Sequence, residues 1–207
     1  MEDILDVYIR KRDKKHPLVC MDECPCQLIG EIRQPIPCGP GKPKCFDTEY
    51  IRNGTCEIFM FAAPLEEWRR AEVTEHRTRI DWAEQIKKLV DKDFPDAEKI
   101  VLVMDNLDTH TIGSLYKAFP PEEAKRIKDK LEIHYTPKHG SWLNMAEIEI
   151  NVLVNHGLSP RVPTMEQMKK EVTAWNKVRN QEGKKINWRF TTDDARIKLK
   201  HLYPLFY

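Results

Sequence analysis

Alternation and runs of apolar residues divide the chain into elements before any composition is considered. Residues 17–23 (PLVCMDE) place Leu18, Cys20 and Asp22 on one strand face and Val19, Met21 and Glu23 on the other, which predicts a short strand ending on an acid. A second strand is expected around 27–32, before a loop punctuated by Pro35, Pro37, Gly39, Pro40, Gly41 and Pro43. Residues 49–52 and 55–61 flank Asn53-Gly54, a strong hairpin signal, so three antiparallel strands are expected in succession. From Glu66 to Asp93 the composition is helical. Trp68 and Ala71, then Ile80, Ala83, Ile86, Leu89 and Val90, mark a buried stripe that ends at Phe94-Pro95.

The run at 99–104 (KIVLVM) reads as a strand covered on both faces, and it too delivers an acid, Asp105. A helix over about 111–119, a second beginning at Pro120-Pro121 and a strand at 131–135 (LEIHY) follow. The next helix is expected to start at Ser141, with Trp142, Leu143, Met145, Ala146, Ile150, Val152, Leu153 and Val154 on an apolar arc and Trp142 in the core. Asn144, Glu147 and Asn151 form the polar stripe beside that arc. Glu149 lies about 200° from Glu147 at 100° per residue, so the two acids cannot face one site. Thr164 with Gln167 starts a last long helix carrying Met165, Met168, Val172 and Trp175. The order βββαβαβα predicts an α/β fold, a mixed sheet flanked by helices. Residues 1–163 form its core, and 164–207 are a helical, basic extension of the same domain.

Length and composition narrow the class. With 207 residues, 41% hydrophobic and 32% charged, the chain has room for one globular domain, which excludes a disordered or fibrous protein. No apolar run approaches the roughly 18 residues a membrane helix needs, and the acidic start MEDILDVYIR lacks an apolar signal-peptide core, so a cytoplasmic, membrane-free protein is expected. The net charge of +1 hides an asymmetry: ten basic against five acidic residues from Thr164 onward, 24 against 28 before it. All six cysteines fall between Cys20 and Cys56 without a Cys-x2-Cys pair. Reduced thiols packed as small apolar groups are therefore the expectation, with a structural zinc module as the rival.

Asp22, Asp105 and Glu147 can converge in such a sheet. Three carboxylates at one point require a counter-charge, and a pair of Mg²⁺ ions with oxygen ligands supplies it, Mn²⁺ being a possible substitute. Two ions about 3.5–4 Å apart activate a water or a 3′-hydroxyl and stabilise the leaving oxygen of a phosphodiester. The chemistry implied is phosphoryl transfer on nucleic acid.

The segments VCMDECPCQLIGE, YIRNGTCEIFMF, KIVLVMDNLDTHT, EIHYTPKHGSWLNMAEIEINVL and NWRFTTDDARIKLKHLYP together resemble the catalytic domain of bacterial insertion-sequence transposases in the mariner-related DDE superfamily. The most specific pieces are the strand followed by Asp105, Asn106 and, further on, His110, and the PKHGSWLN segment that leads into Glu147. The resemblance implies a ribonuclease H-like fold and makes Asp22, Asp105 and Glu147 a metal-binding catalytic triad for DNA strand cleavage and strand transfer, that is, DNA transposition and integration. It also implies DNA as partner, both element ends and target, and a possible homodimer. Relatives carry an N-terminal helix-turn-helix region, whereas this sequence begins just before the first catalytic strand, so that region is expected to be absent or to be a separate subunit.

Second-tier candidates for nucleic-acid contact are Asn106 and His110 after the second acid, and Lys138 and His139 in the loop before the Glu147 helix. The basic stretch with Lys184, Lys185 and Arg189 joins them. Each has a plainer alternative as helix cap, solvated loop or solvated helix face. Asp108, Cys24 and Cys26 depart from the family pattern, and Gly157 interrupts a helix that is more basic in many relatives. Two other functions stay open: a domesticated or decaying transposase acting as a non-catalytic DNA- or protein-binding module, and a nuclease acting on other DNA or RNA.

Overall fold

The computed structural model describes residues 1–203. Five strands form one mixed sheet in the order β3-β2-β1-β4-β5: β1 (Leu18–Glu31), β2 (Tyr50–Ala63), β3 (Trp68–Thr74), β4 (Ile100–Met104) and β5 (Leu131–Tyr135). The first three are antiparallel neighbours, and β4 and β5 run parallel to β1. Helices cover both faces. On one side lie α1 (Glu2–Tyr8), α5 (Ala146–Val152), α6 (Met165–Gln181) and α7 (Thr192–Lys198); on the other lie α2 (Arg79–Lys88), α3 (Ile112–Ala118) and α4 (Pro121–Asp129). Alternation on β1 and β4 sends Leu18, Cys20, Val101 and Val103 into the first layer and Val19, Leu102 and Met104 into the second. No described helix is long and apolar enough to cross a membrane.

Several elements differ from the periodicity reading, each for a local reason. The two strands expected at 17–23 and 27–32 are one 14-residue strand, so Asp22 lies inside β1, at the point where pairing to β4 stops and pairing to β2 continues. Asn53-Gly54 is not a hairpin turn. Gln27 faces Thr55 and Ile29 faces Arg52, so Asn53 and Gly54 together oppose Leu28, a β-bulge in which Gly54 takes φ 111°. Asn53 then donates its side-chain amide to the Pro163 carbonyl. The real turn into the third strand lies at 64–67, and Trp68 and Ala71 belong to β3, not to a helix. The expected single helix from Ser141 is a 3₁₀ turn (Ser141–Leu143), then α5, then a π-helical turn (Leu153–Gly157). Trp142, Val154 and Ile80 are exposed instead of core. Trp142 stacks on Trp188 and meets Phe190 edge-on. Among the cysteines, Cys38 and Cys45 are exposed, unlike the packed thiols expected, while Cys20 and Cys56 are buried.

Two devices bind α6 to the sheet. As an edge strand, β3 has unpaired backbone groups, and Asn176 and Asn180, one helical turn apart, each accept from and donate to it. Asn176 bonds Ala71 N and O at 2.8 and 2.7 Å, and Asn180 bonds Arg69 N and O at 2.7 and 2.8 Å. Nearby, Gly157 is required by close approach, since a Cβ there would stand 2.3 Å from Trp175 Cδ1.

The second device is ionic. Glu149, fully buried, accepts from Arg69 Nη2 at 2.8 Å and from Arg179 Nε at 2.9 Å, joining α5, β3 and α6. Burial works to raise its carboxyl pKa, but the two guanidiniums outweigh that and hold it below the usual range. Arg69 is equally buried, and its Nε and Nη1 have no partner. Removing the carboxylate therefore strands a buried cation: Glu149→Ala is expected to lower unfolding free energy by about 3–5 kcal/mol, whereas exposed Glu147→Gln should change it by within about 0.5 kcal/mol. Urea titration of the two variants separates these outcomes.

Candidate active site

Parallel register brings the first two acids level. The last paired residues of β1 and β4 are Cys20 and Val103, both facing the α1/α5 layer, and Asp22 and Asp105 stand two residues beyond each on the same alternation. The third acid arrives through a side chain the sequence reading left without a role. Asn144, buried at the end of the 3₁₀ turn, donates to Met21 O at 2.7 Å and to Asp22 Oδ2 at 3.2 Å, and its Oδ1 accepts from Ala146 N. Glu147 N in turn donates to Asn144 O, so the first turn of α5 is pinned to β1 and Glu147 stands exposed beside Asp22. Tyr8 of α1 supports the same turn by donating to Leu143 O at 2.6 Å.

Asp22 reports the electrostatics of this place. Burial pushes its carboxyl up to about 7; the Glu23 backbone N–H opposes the shift, and the Asp105, Glu147 and Glu23 carboxylates add to it. No basic side chain lies within 4.0 Å of Asp22 or Glu147 among the described residues. Asp22 and Glu147 therefore offer carboxylate oxygens with no basic partner, and together with Asp105, which also meets His110, they have the donor chemistry that a hard divalent cation takes.

On the opposite face of β1 a different arrangement appears. His110, wholly buried, has Nε2 2.6 Å from Glu23 Oε1 and Nδ1 2.5 Å from Asp105 Oδ1. The Nδ1 hydrogen bond runs to Asp105 O at 3.3 Å, so the contact with Oδ1 is ionic in character. Glu23, Asp105 and His110 are the group whose donor atoms all lie within 4.8 Å of one another; the three acids of the expected triad do not close into so tight a set. Burial acts to lower the His110 pKa, but the flanking Asp105 and Glu23 carboxylates prevail and raise it to about 9. Trp82 stacks on the ring with centroids 5.9 Å apart, and Tyr135 Oη donates to the His110 carbonyl at 2.9 Å.

The remaining candidates separate into three places. Asn106, Lys138 and His139 line one depression with Asp105, Leu107 and Ser141. The loop turns there because Gly140 N bonds Pro137 O at 2.8 Å, with His139 at φ 62° and Gly140 packed so closely that a Cβ would lie 2.6 Å from Pro137 Cγ. His110 is not in that depression: it is inaccessible, which corrects its reading as a nucleic-acid contact. Lys184 and Lys185 lie by the β3 edge, paired with Glu182 and Glu67 at 3.3 and 3.2 Å, and Arg189 is exposed between Trp188 and Phe190. Sequence reasoning missed Glu23 and Asn144. The signal for Glu23 was its adjacency to Asp22, since consecutive strand residues serve opposite faces; Asn144 was visible only as a polar neighbour of Glu147.

A family model described as DDE superfamily endonuclease matches residues 17–169. Among solved structures, the fold is similar to the Mos1 transposase paired-end complex with left transposon end, at 17% identity and TM-score 0.59 over 88% of this chain and 55% of that one. It is also similar to the Mos1 Strand Transfer Complex, at 16% identity and TM-score 0.59 over 88% and 54%. The chain thus spans about half the length of those transposase chains. A comparison with curated proteins finds no match. With this likeness the five-stranded mixed sheet is ribonuclease H-like.

The charge at Asp22 makes stability depend on pH. Its folded pKa is above the unfolded 3.8, so the metal-free fold loses stability as pH rises from about 4 to about 7. Asp22→Asn removes that loss. The difference in Tm between Asp22→Asn and the parent, measured in chelator, should be near zero at pH 4 and grow to a plateau above pH 7, by roughly 2–4 °C for each kcal/mol of burial and repulsion cost relieved.

Proposed function

The chain belongs to the DDE superfamily endonucleases, and from that premise we propose that it is a transposase catalytic domain that cleaves DNA strands at element ends and joins them to target DNA. The observation that supports this reading is the parallel register that brings Asp22 and Asp105 level at the end of the β1–β4 pairing, with the Asp22 carboxyl raised by burial and further by the Asp105 and Glu147 carboxylates. Asp22, Asp105 and Glu147 would hold a pair of Mg²⁺ ions, with Mn²⁺ as substitute, whose charge would activate a water or 3′-hydroxyl and stabilise the leaving oxygen. Asp22 and Asp105 hold the site from the sheet, Glu147 closes it from α5, and Asn144 keeps the helix in register with the strand. Lys138 and His139, exposed beside Asp105, are placed to meet the phosphates flanking the scissile bond, with Asn106 at the same rim. Lys184, Lys185 and Arg189 belong to the basic C-terminal extension, which is read as a sequence-independent contact to the duplex. Recognition of element ends falls to a helix-turn-helix unit, and pairing of the two ends to a homodimer.

Nicking and strand transfer on element-end DNA in Mg²⁺ or Mn²⁺ test the reading. Activity is expected in the parent and lost in Asp105→Ala; equal turnover in both proteins removes the assignment, and a folded protein with DNA binding but no turnover makes it a non-catalytic module. Lys138→Ala is expected to weaken binding across sequences and to reduce the slope of log K against log salt by about one.

A further inference from the structure

Glu23 and His110 have no part in the triad, yet with Asp105 they form, among the described residues, a group of acid and imidazole donors that all lie within 4.8 Å of one another. We propose that His110, braced by Glu23, is a positioning residue for Asp105: its Nδ1 side fixes Oδ1 of that carboxylate from behind, so that the other oxygen is presented to the cation. The inference rests on the reading that Asp105 holds a divalent cation.

The geometry gives each atom one task. His110 Nε2 is committed to Glu23 Oε1 at 2.6 Å, and Nδ1 to Asp105, whose carbonyl oxygen it bonds at 3.3 Å and whose Oδ1 it meets as an ion pair at 2.5 Å, so neither ring nitrogen is free to act as a ligand. Exposure runs in one direction along the chain of contacts: the Glu23 and His110 side chains are 2% and 0% exposed, and Asp105 is 33% exposed. A cation from solvent therefore reaches Asp105 first, with His110 behind it. Asp105 closes a strand and is followed by the exposed loop residues Asn106, Leu107 and Asp108, so its backbone alone leaves the carboxylate free to rotate. The ring that restrains it is itself immobilised, stacked on Trp82 and with its carbonyl held by Tyr135. Such outer partners fix the orientation and basicity of a ligand, and their loss typically lowers metal affinity about 10–100-fold.

Asparagine and glutamine substitutions divide the two contacts. The amide nitrogen of His110→Asn occupies the place of Nδ1 and keeps the donor to Asp105; that of His110→Gln occupies the place of Nε2 and keeps only the donor to Glu23. Mn²⁺ affinity is measured by electron paramagnetic resonance on the full chain, with Asp105→Ala as control and Tm recorded for each variant. The expected result is affinity near the parent's in His110→Asn and a loss of about 10-fold in His110→Gln at comparable Tm. Glu23→Gln, which keeps the volume of the buried pair, should shift affinity in the same direction as His110→Gln and provides the readout if either histidine variant fails to fold. Equal affinities in the parent and all three variants, or losses that simply follow Tm, overturn the inference and leave the Asp105 metal site standing. Nitrogen-14 modulation from His110 on the bound Mn²⁺ overturns it by making the ring a ligand. Mn²⁺ binding indifferent to Asp105→Ala brings down both the inference and the function on which it rests.

Discussion

A carboxylate removed from water must find a counter-charge or hold a proton, and five carboxylates crowd the ends of β1 and β4 and the first turn of α5. The structure treats them differently. Glu149 receives two guanidiniums, Glu23 receives the His110 ring, and Asp105 shares that ring while keeping a third of its side chain open to solvent. Asp22 and Glu147 have no basic partner among the described residues, and the Asp22 carboxyl is raised by burial first and by the neighbouring carboxylates after it. The fold thus gives Glu149, Glu23 and, in part, Asp105 a cationic partner and leaves Asp22 and Glu147 without one. A structural cluster would be expected to neutralise all of them.

That division depends on period more than on composition. Asp22 and Glu23 are adjacent in sequence but sit on opposite faces of β1, because alternate residues of a strand point apart. Glu147 and Glu149 are two residues apart but about 200° around the helix. In each pair one acid enters a buried ion contact and its neighbour, Asp22 or Glu147, is left without a basic partner among the described residues. Helical geometry made the second separation legible from residue spacing alone, and the KIVLVM run located Asp105 in the same way. The His110–Glu23 contact was hidden because it spans 87 positions and lies on the sheet face away from the triad. No local pattern signals a pairing of that kind.

Where the sequence reading failed, local signals had competing outcomes. Asn53-Gly54 requires a residue at positive φ, which a hairpin turn and a bulge satisfy equally well; the continuation of β1 to Glu31 gave β2 a partner on both sides of the glycine, and the bulge resulted. Trp68 to Thr74 reads WRRAEVT, whose arginines, alanine and glutamate give it helical composition, yet β2 offers it a paired edge and α6 offers Asn176 and Asn180 on the other side. Tertiary partners outweighed propensity there. The same asparagines explain why the basic segment after Thr164 is not a loose appendage: its helix completes the hydrogen bonding of an edge strand and supplies Arg179 to Glu149.

These contacts give α5 two anchors with different duties. Glu149, through Arg69 and Arg179, fixes the helix against β3 and α6, while Asn144 fixes its first turn against Met21 and Asp22. The anchors lie five residues apart with Glu147 between them, so neither sliding nor rotation of the helix can carry Glu147 away from Asp22 without breaking a buried polar contact. The energy that would otherwise let the two repelling carboxylates drift apart is opposed by an ion triad and an amide, both out of water. In this way a repulsive arrangement of Asp22 and Glu147 is maintained by attractive ones outside it.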